Sequence, residues 1–322
     1  MNHTKPIAFA GLALSLALAA TGASAQAPTT ATIAQTGLGN QAYVEQRQAG
    51  EEATIAIVQT GNNNVIGDPT GRSGGVMLSQ TPRMIVEISQ LGDANRLTLQ
   101  HHEGGFFGFA YLHQSGNGNS TSLLQNGAYE STIRVEQHGE RNVIEDTVDS
   151  SGELSFRPTQ YGSDNVITTS RNLSGRAGLP VYQEGTGNRA TVRYDNAFYS
   201  GMAISQTGSD NEARGSLSST GFATDASITQ NGAGNLADID IRESGGATTT
   251  QTGNANTATV RQNSGANGAT ISQLGAFNTA SVTQAGPVSL LPNTAGITQI
   301  GDGFNASITQ TGSGNQAVIL QH

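Results

Sequence analysis

The chain has 322 residues, a formal net charge of −9, 42 glycines, and neither cysteine nor tryptophan. Its hydrophobic share of 35% and charged share of 12% lie below the values of ordinary soluble domains, which argues against a conventional globular enzyme and a transmembrane bundle. The acidic charge disfavours nucleic-acid binding, because phosphate recognition needs a basic surface.

The N-terminus has the pattern of a secretory signal peptide over residues 1–25. Lys5 gives the positive start, an apolar stretch follows, and the small residues Ala23 and Ala25 form the expected cleavage site. The apolar stretch is short for a membrane span. We therefore expect an exported chain that begins at Gln26 and, without cysteine, has no disulfide framework.

After the signal, the pattern Gln-x-Gly-x-x-Asn occurs twelve times, mostly at intervals of 21–24 residues, which indicates a repeat architecture. The motif glutamines are Gln35, Gln59, Gln90, Gln114, Gln137, Gln160, Gln183, Gln206, Gln230, Gln251, Gln273 and Gln310. The motif asparagines are Asn40, Asn64, Asn95, Asn119, Asn142, Asn165, Asn188, Asn211, Asn235, Asn256, Asn278 and Asn315. The motif glycines are Gly37, Gly61, Gly92, Gly116, Gly139, Gly162, Gly185, Gly208, Gly232, Gly253, Gly275 and Gly312.

Aliphatic residues alternate with polar residues on both sides of each motif, as with Ile33 before Gln35 and Ala42 and Val44 after Asn40. A period of two predicts strands with one buried face, and Gly-x-x-Asn predicts the turn between them. A second glutamine often follows eleven residues after the first, so each repeat resembles two half-units. These second glutamines are Gln46, Gln125, Gln262, Gln284 and Gln321. In the central repeats this position is held instead by Val148, Arg171, Tyr194 and Leu217.

A unit of about 23 residues cannot bury its own apolar row, so we predict an all-β fold, a β-solenoid of about twelve to fourteen stacked rungs with two short strands each. Identical amides stacked rung on rung can satisfy one another, so the motif glutamines and asparagines are predicted to form ladders inside the solenoid. The alternative, a disordered polar tract, would lack the fixed register and the alternating aliphatic residues.

The pattern Ile-x-Gln-x-Gly-x-x-Asn-x-Ala, with a further glutamine near the end of the unit, resembles the curlin repeat of bacterial curli subunits from about Ala31 to Gln321. The resemblance implies a secreted functional amyloid that leaves the periplasm through an outer-membrane pore. It would then polymerise with itself and with other curlin-type subunits into cell-surface fibres for adhesion and biofilm matrix. It also implies that Gln35, Asn40 and their equivalents form the interior ladders. No terminal cap is visible in the sequence, so we expect both ends to accept further strands.

Three segments depart from the repeat, and we expect irregular inserts near 67–83, 101–109 and 285–296. Charged residues concentrate in the central repeats, where they serve either as a solvated outer face or as gatekeepers against premature assembly. His101 and His102 are weak candidates for a metal site, because a third ligand is not apparent. No catalytic, cofactor or metal residue is predicted.

Two other functions remain open at this stage. A monomeric solenoid that acts as an adhesin or binds ice or another ligand would need a uniform outward row, yet the residue after the motif glutamine varies among Thr36, Leu91, His138, Tyr161 and Glu184. A β-helical polysaccharide enzyme would need clustered acids, and the acids here are scattered. Self-assembly is therefore the favoured function.

Overall fold

The computed structural model describes residues 30–47, 53–67, 76–79, 84–102, 107–127, 130–150, 152–173, 175–218, 224–263, 265–286 and 291–322. Within these ranges every regular element is a β-strand, and the strands form two sheets. No helix among them could therefore cross a membrane. The predicted signal peptide lies outside the described residues.

The first sheet contains 13 strands. In hydrogen-bonded order they are β1 (Thr30–Thr36), β4 (Thr54–Thr60), β7 (Met84–Leu91), β9 (Phe107–Asn117), β11 (Glu130–Glu140), β13 (Glu153–Ser163), β15 (Ala177–Thr186), β17 (Ser200–Ser209), β19 (Thr224–Ala233), β21 (Gly245–Asn254), β23 (Asn267–Leu274), β25 (Thr294–Ile300) and β27 (Gln316–Gln321).

The second sheet contains 14 strands. They are β2 (Gln41–Ala42), β3 (Val44–Arg47), β5 (Val65–Ile66), β6 (Val76–Ser79), β8 (Arg96–His102), β10 (Ser120–Asn126), β12 (Val143–Ser150), β14 (Val166–Leu173), β16 (Arg189–Ala197), β18 (Glu212–Ser218), β20 (Leu236–Arg242), β22 (Thr257–Gln262), β24 (Thr279–Ala285) and β26 (Asn305–Thr311).

The chain alternates between the sheets, and every pairing is parallel, as in β11 with β13 and β12 with β14. Each turn of the chain therefore contributes one strand, or one split strand, to each sheet. This arrangement confirms the predicted β-solenoid with two strands per rung. We call the turn from the first sheet to the second the first corner, as at residues 37–40, and the return connection the second corner.

The core lies between the two sheets and is built from the alternating aliphatic residues. Ile133 and Val135 of β11 and Ile144 of β12 have no exposed surface. Their neighbours in the strands, such as Arg134, face solvent. Because the side-chain period of a strand is two, this single buried face also fixes the register of each rung on the next.

Parts of the three predicted inserts belong to strands. Strand β6 lies within 67–83 and pairs with β3 and β8. Residues 101–102 end β8, residues 107–109 begin β9, and residues 294–296 begin β25. In each case the strand part of the segment pairs with a strand of a neighbouring rung.

Candidate functional site

The most regular feature of the interior is a ladder of glutamine side chains along the first sheet, which we call the first glutamine ladder. Each Nε2 donates to the Oε1 of the glutamine in the next rung at 2.6–2.9 Å. Its members are Gln35, Gln59, Gln90, Gln114, Gln137, Gln160, Gln183, Gln206, Gln230, Gln251, Gln273, Gln299 and Gln321.

The same glutamines also join the two sheets. The second Nε2 hydrogen of Gln160 points to the backbone carbonyl of Val143 in β12 at 3.1 Å, and Gln183 does the same to Val166 in β14. Donor and acceptor of a buried amide are thus used within the solenoid, which removes the cost of burying them unpaired. A side chain that can only donate or only accept a hydrogen bond could not continue the ladder.

An asparagine ladder runs along the first corner. The backbone N–H of each asparagine donates to the Oδ1 of the asparagine one rung earlier at 3.0–3.2 Å. Each Nδ2 donates to the carbonyl of the turn glycine one rung later at 2.7–3.0 Å. Its members are Asn40, Asn64, Asn95, Asn119, Asn142, Asn165, Asn188, Asn211, Asn235, Asn256 and Asn278.

The turn glycines are required by both backbone angle and space. Gly139 has φ of +112°, and a Cβ there would lie 2.0 Å from the carbonyl oxygen of Gly162 in the next rung. The other motif glycines also have positive φ, between +97° and +130°. An L-residue with a side chain is strained at such angles, and the close approach of the next rung leaves no room for one.

The structure places one predicted motif elsewhere. Gln310 and Asn315 do not follow Gln273 and Asn278 in the first corner, because Gln273 Nε2 donates to Gln299 instead. The amide of Gln310 accepts from Gln284 in the second sheet, and Asn315 lies at the second corner. The turn glycine of that motif, Gly312, moves with them. Phe304 stands in register with Asn278 at the first corner, where its backbone N–H donates to Asn278 Oδ1, so the complete motif falls eleven residues after Gln299, at the second corner.

A shorter ladder therefore lines the second corner, and we call it the second ladder. Gln262, Gln284 and Gln310 are linked by amide hydrogen bonds of 2.9 and 2.8 Å. The asparagines of this ladder are Asn267, Asn293 and Asn315, linked by bonds of 3.2 and 3.0 Å. The eleven-residue spacing between Gln299 and Gln310, half a repeat, is the sequence signal that could have separated this set from the first glutamine ladder.

The second ladder is replaced by other side chains in the central rungs. The residues in register with Gln125 and Gln262 between them are Val148, Arg171, Tyr194, Leu217 and Ile241. Neither amide atom of Gln125 has a partner among the described residues. Its neighbours in this row, His101 and Val148, are not amides. Of the ladders, the first glutamine ladder alone runs through every rung of the described solenoid.

A buried ion pair occupies two of these central rungs. Arg171 forms a bidentate pair with Asp146, and both side chains are fully buried. Thr169 donates to the same carboxylate, and the guanidinium carbon lies 4.6 Å from the centre of the Phe156 ring. Charged residues elsewhere in this region, such as Arg141, lie on the surface as expected. The burial of Asp146 and Arg171 was not predicted, although Arg171 lies eleven residues after a motif glutamine, which marks an inward position.

The histidines form no metal cluster in the described part of the chain, where no group of three or more potential ligands converges. His101 is buried, and desolvation lowers its pKa to about 4. His113 and His138 belong to an outward row of rings on the first sheet, in which His138 stacks on Tyr161 with centroids 4.8 Å apart. Stacked rings of this kind reinforce the pairing of adjacent rungs.

The outermost rungs differ from the rest in the exposure of their inward faces. Ala31 and Ile33 in β1 and Ala317 and Ile319 in β27 are half-buried, whereas their equivalents in the inner rungs are almost fully buried. Among the described strands, β1 pairs only with β4 and β27 only with β25. The two ends of the described solenoid thus present apolar side chains beside unpaired strand edges.

One part of the chain matches a known protein family. Residues 253–286 match the family model of the curlin associated repeat, and no curated protein matches the sequence. The matched segment spans β22, β23 and β24, where both glutamine ladders are present. The chain therefore contains a curlin associated repeat, and this match supports its assignment to the curlin-repeat family.

Proposed function

We propose that this chain is a secreted structural protein that self-assembles into extracellular curli-like amyloid fibres. The observation that carries the proposal is the first glutamine ladder, which runs without interruption from β1 to β27. Parallel strands in register, with identical amides stacked along the axis, are the arrangement of amyloid. A second copy that stacks on an end of the solenoid would extend this arrangement.

The polarity of the ladder favours directional addition. At one end Gln35 donates to Gln59, so its Oε1 faces outward along the axis. At the other end Gln310 accepts from Gln284 and Gln321 accepts from Gln299, so the Nε2 of each has a hydrogen for a following rung. The two ends are therefore complementary, and stacking would also cover Ile33 and Ile319. Unpaired strand edges with an apolar face are strong templates for further strands.

The match to the curlin repeat supports the rest of the proposal. The fibres would lie on the surface of a bacterium and contribute to adhesion and biofilm matrix. The partners would be further copies of this chain, other curlin-type subunits and an outer-membrane pore for export. A structural role needs neither a cofactor nor a catalytic site.

The test is assembly of the purified chain, followed by thioflavin T and Congo red binding and by fibre diffraction. We expect fibres with a meridional spacing of about 4.7–4.8 Å and a sheet spacing of about 10 Å. A chain that stays monomeric for days, with no dye signal, contradicts the proposal.

A pair of variants separates stacking at the ends from general aggregation. The double variant Ile33→Asp with Ile319→Asp places charges on the inward face of both end rungs, where stacking would bury them at high cost. It should assemble far more slowly than the control Thr32→Asp with Val318→Asp, whose substituted residues face outward from the same strands. Equal rates for the two would contradict assembly through the end rungs.

A further inference from the structure

Two segments at opposite ends of the described solenoid match one another closely in sequence. Residues 30–46 cover β1, the first corner and most of the following second-sheet strand, whereas residues 305–321 cover β26, a second corner and β27. Aligned without gaps, ten of the seventeen positions are identical. In the first segment these are Ala31, Ile33, Gln35, Thr36, Gly37, Gly39, Asn40, Gln41, Ala42 and Gln46.

The match is closer than the one between neighbouring rungs. Over residues 30–42, nine positions are identical to residues 305–317, but only six are identical to residues 54–66, which form the rung that actually stacks on them. Rungs in a solenoid stack best when identical inward residues lie above one another. Residues 305–321 are thus well suited to stack against residues 30–46 of another copy.

A second copy can continue the stack in two ways. In the first, in-phase mode, β1 of the second copy stacks on β27 and each sheet continues into the same sheet. The second sheet then lacks one strand at the junction, because no described strand of the second sheet follows β27 in the chain. In the second, half-turn mode, β1 of the second copy stacks on β26, and its β2 and β3 stack on β27. All seventeen residues then have a partner in register. The second mode leaves no gap in either sheet.

The hydrogen-bond polarity fits the second mode. Gln310 accepts from Gln284, so its Nε2 can donate to Oε1 of the incoming Gln35 as it would to a further rung. Asn293 Nδ2 donates to the carbonyl of Gly312 at 2.7 Å, and Asn315 stands in the same relation to the incoming Gly37. The second ladder of one copy would thereby pass into the first ladder of the next.

We propose that successive copies stack with β1 of the incoming copy on β26, so that neighbouring subunits are related by about half a turn around the fibre axis. This inference rests on the proposed self-assembly and specifies its interface. The same motif already occurs at both corners within one chain, at the first corner after Gln273 and at the second corner after Gln310.

Cysteine pairs test the interface cleanly because the chain has no cysteine of its own. The half-turn mode places Thr32 beside Ser307 of the preceding copy, and the in-phase mode places it beside Val318. All three residues are exposed and face outward. Adjacent strands lie about 4.7–4.9 Å apart, within the Cα range of a disulfide. Within one copy β1 and β27 are about 58 Å apart by the same spacing, so no link can form inside a chain.

Fibres of Thr32→Cys with Ser307→Cys should give a ladder of covalent multimers after mild oxidation, and fibres of Thr32→Cys with Val318→Cys should give at least tenfold fewer. The opposite result, or fibres in which neither pair links, overturns the half-turn interface and leaves the proposed function standing. Helical reconstruction of wild-type fibres is the second measurement, and subunits related without the half-turn overturn the inference. If the wild-type chain forms no fibres at all, the proposed function fails with it.

Discussion

Replacing one rung of the first glutamine ladder tests how the interior is held together. Gln183 accepts from Gln160 at 2.8 Å and donates to Gln206 at 2.7 Å and to the carbonyl of Val166 at 3.1 Å. In Gln183→Leu the side chain keeps its approximate size, but all three hydrogen bonds are lost. The Oε1 of Gln206 and the carbonyl of Val166 lose a donor inside the solenoid, and Gln160 keeps its bond to the second sheet.

Leaving a buried polar group without a partner costs about 1–3 kcal/mol. Two such groups, offset by the apolar gain from leucine, give an expected loss of about 2–4 kcal/mol. By the relation of about 1.4 kcal/mol per tenfold change, this corresponds to roughly 30- to 700-fold less protection against local opening. Long solenoids do not unfold in a single step, so the loss should be concentrated in the rungs around β15.

Hydrogen exchange of the unassembled chain measures this local opening directly. The matched control is Gln100→Leu, the same change at a half-exposed glutamine on the outward face of β8, where we expect less than about 0.5 kcal/mol. If Gln183→Leu loses no more protection than Gln100→Leu, the ladder does not contribute to stability and the reasoning fails.

Three further predictions concern other parts of the interior. Gly139→Ala should destabilise its rungs strongly because its φ is +112° and a Cβ would meet the next rung. Gly268→Ala, where a Cβ meets nothing within 4 Å, should be close to neutral in thermal unfolding. Arg171→Met alone should lower the free energy of unfolding by about 3–5 kcal/mol, because it leaves Asp146 buried without its cation. The double variant with Asp146→Leu should recover most of this loss, and failure to recover would show that the ion pair itself is needed. The pKa of His101 is lowered from 6.5 to about 4, so between pH 4 and 6.5 the unfolded chain binds more protons than the folded chain. The free energy of unfolding should therefore fall by up to about 3 kcal/mol as the pH drops from 6.5 to 4. Unfolding measured across this pH range should show a flatter dependence for His101→Gln.

Most of the fold could be predicted from the sequence because local pattern and global stacking agree. The alternating aliphatic residues fix which face of each strand is buried, and the motif glycine at +φ fixes the first corner. The first glutamine ladder and the asparagine ladder follow from these two signals, since an amide in the same place in each rung finds its partner by stacking. Eleven of the twelve predicted motifs lie in the first corner for this reason.

The phase change near the end could not be predicted from motif matching. A perfect Gln-x-Gly-x-x-Asn fits either corner, because both corners are turns between strands of the same pattern. Whether Gln299 or Gln310 continues the ladder depends on the number of residues in the preceding second corner. That length is set between Gln284 and Asn293, which are nine residues apart, whereas Gln262 and Asn267 are five apart.

The two corners differ in what they allow, and this difference explains where the chain varies. At the first corner the asparagine side chains link each rung to the next, and Asn278 keeps its bonds to the carbonyl of Gly301 and to the backbone N–H of Phe304 even where phenylalanine replaces the next asparagine. Among the described residues at the second corner of the central rungs, no amide ladder links successive turns. Side chains as unlike as Arg171, Tyr194 and Leu217 are therefore accommodated in one row there. The first corner thus maintains the register of the stack, and the second corner is free to carry the sequence differences that distinguish one rung from another.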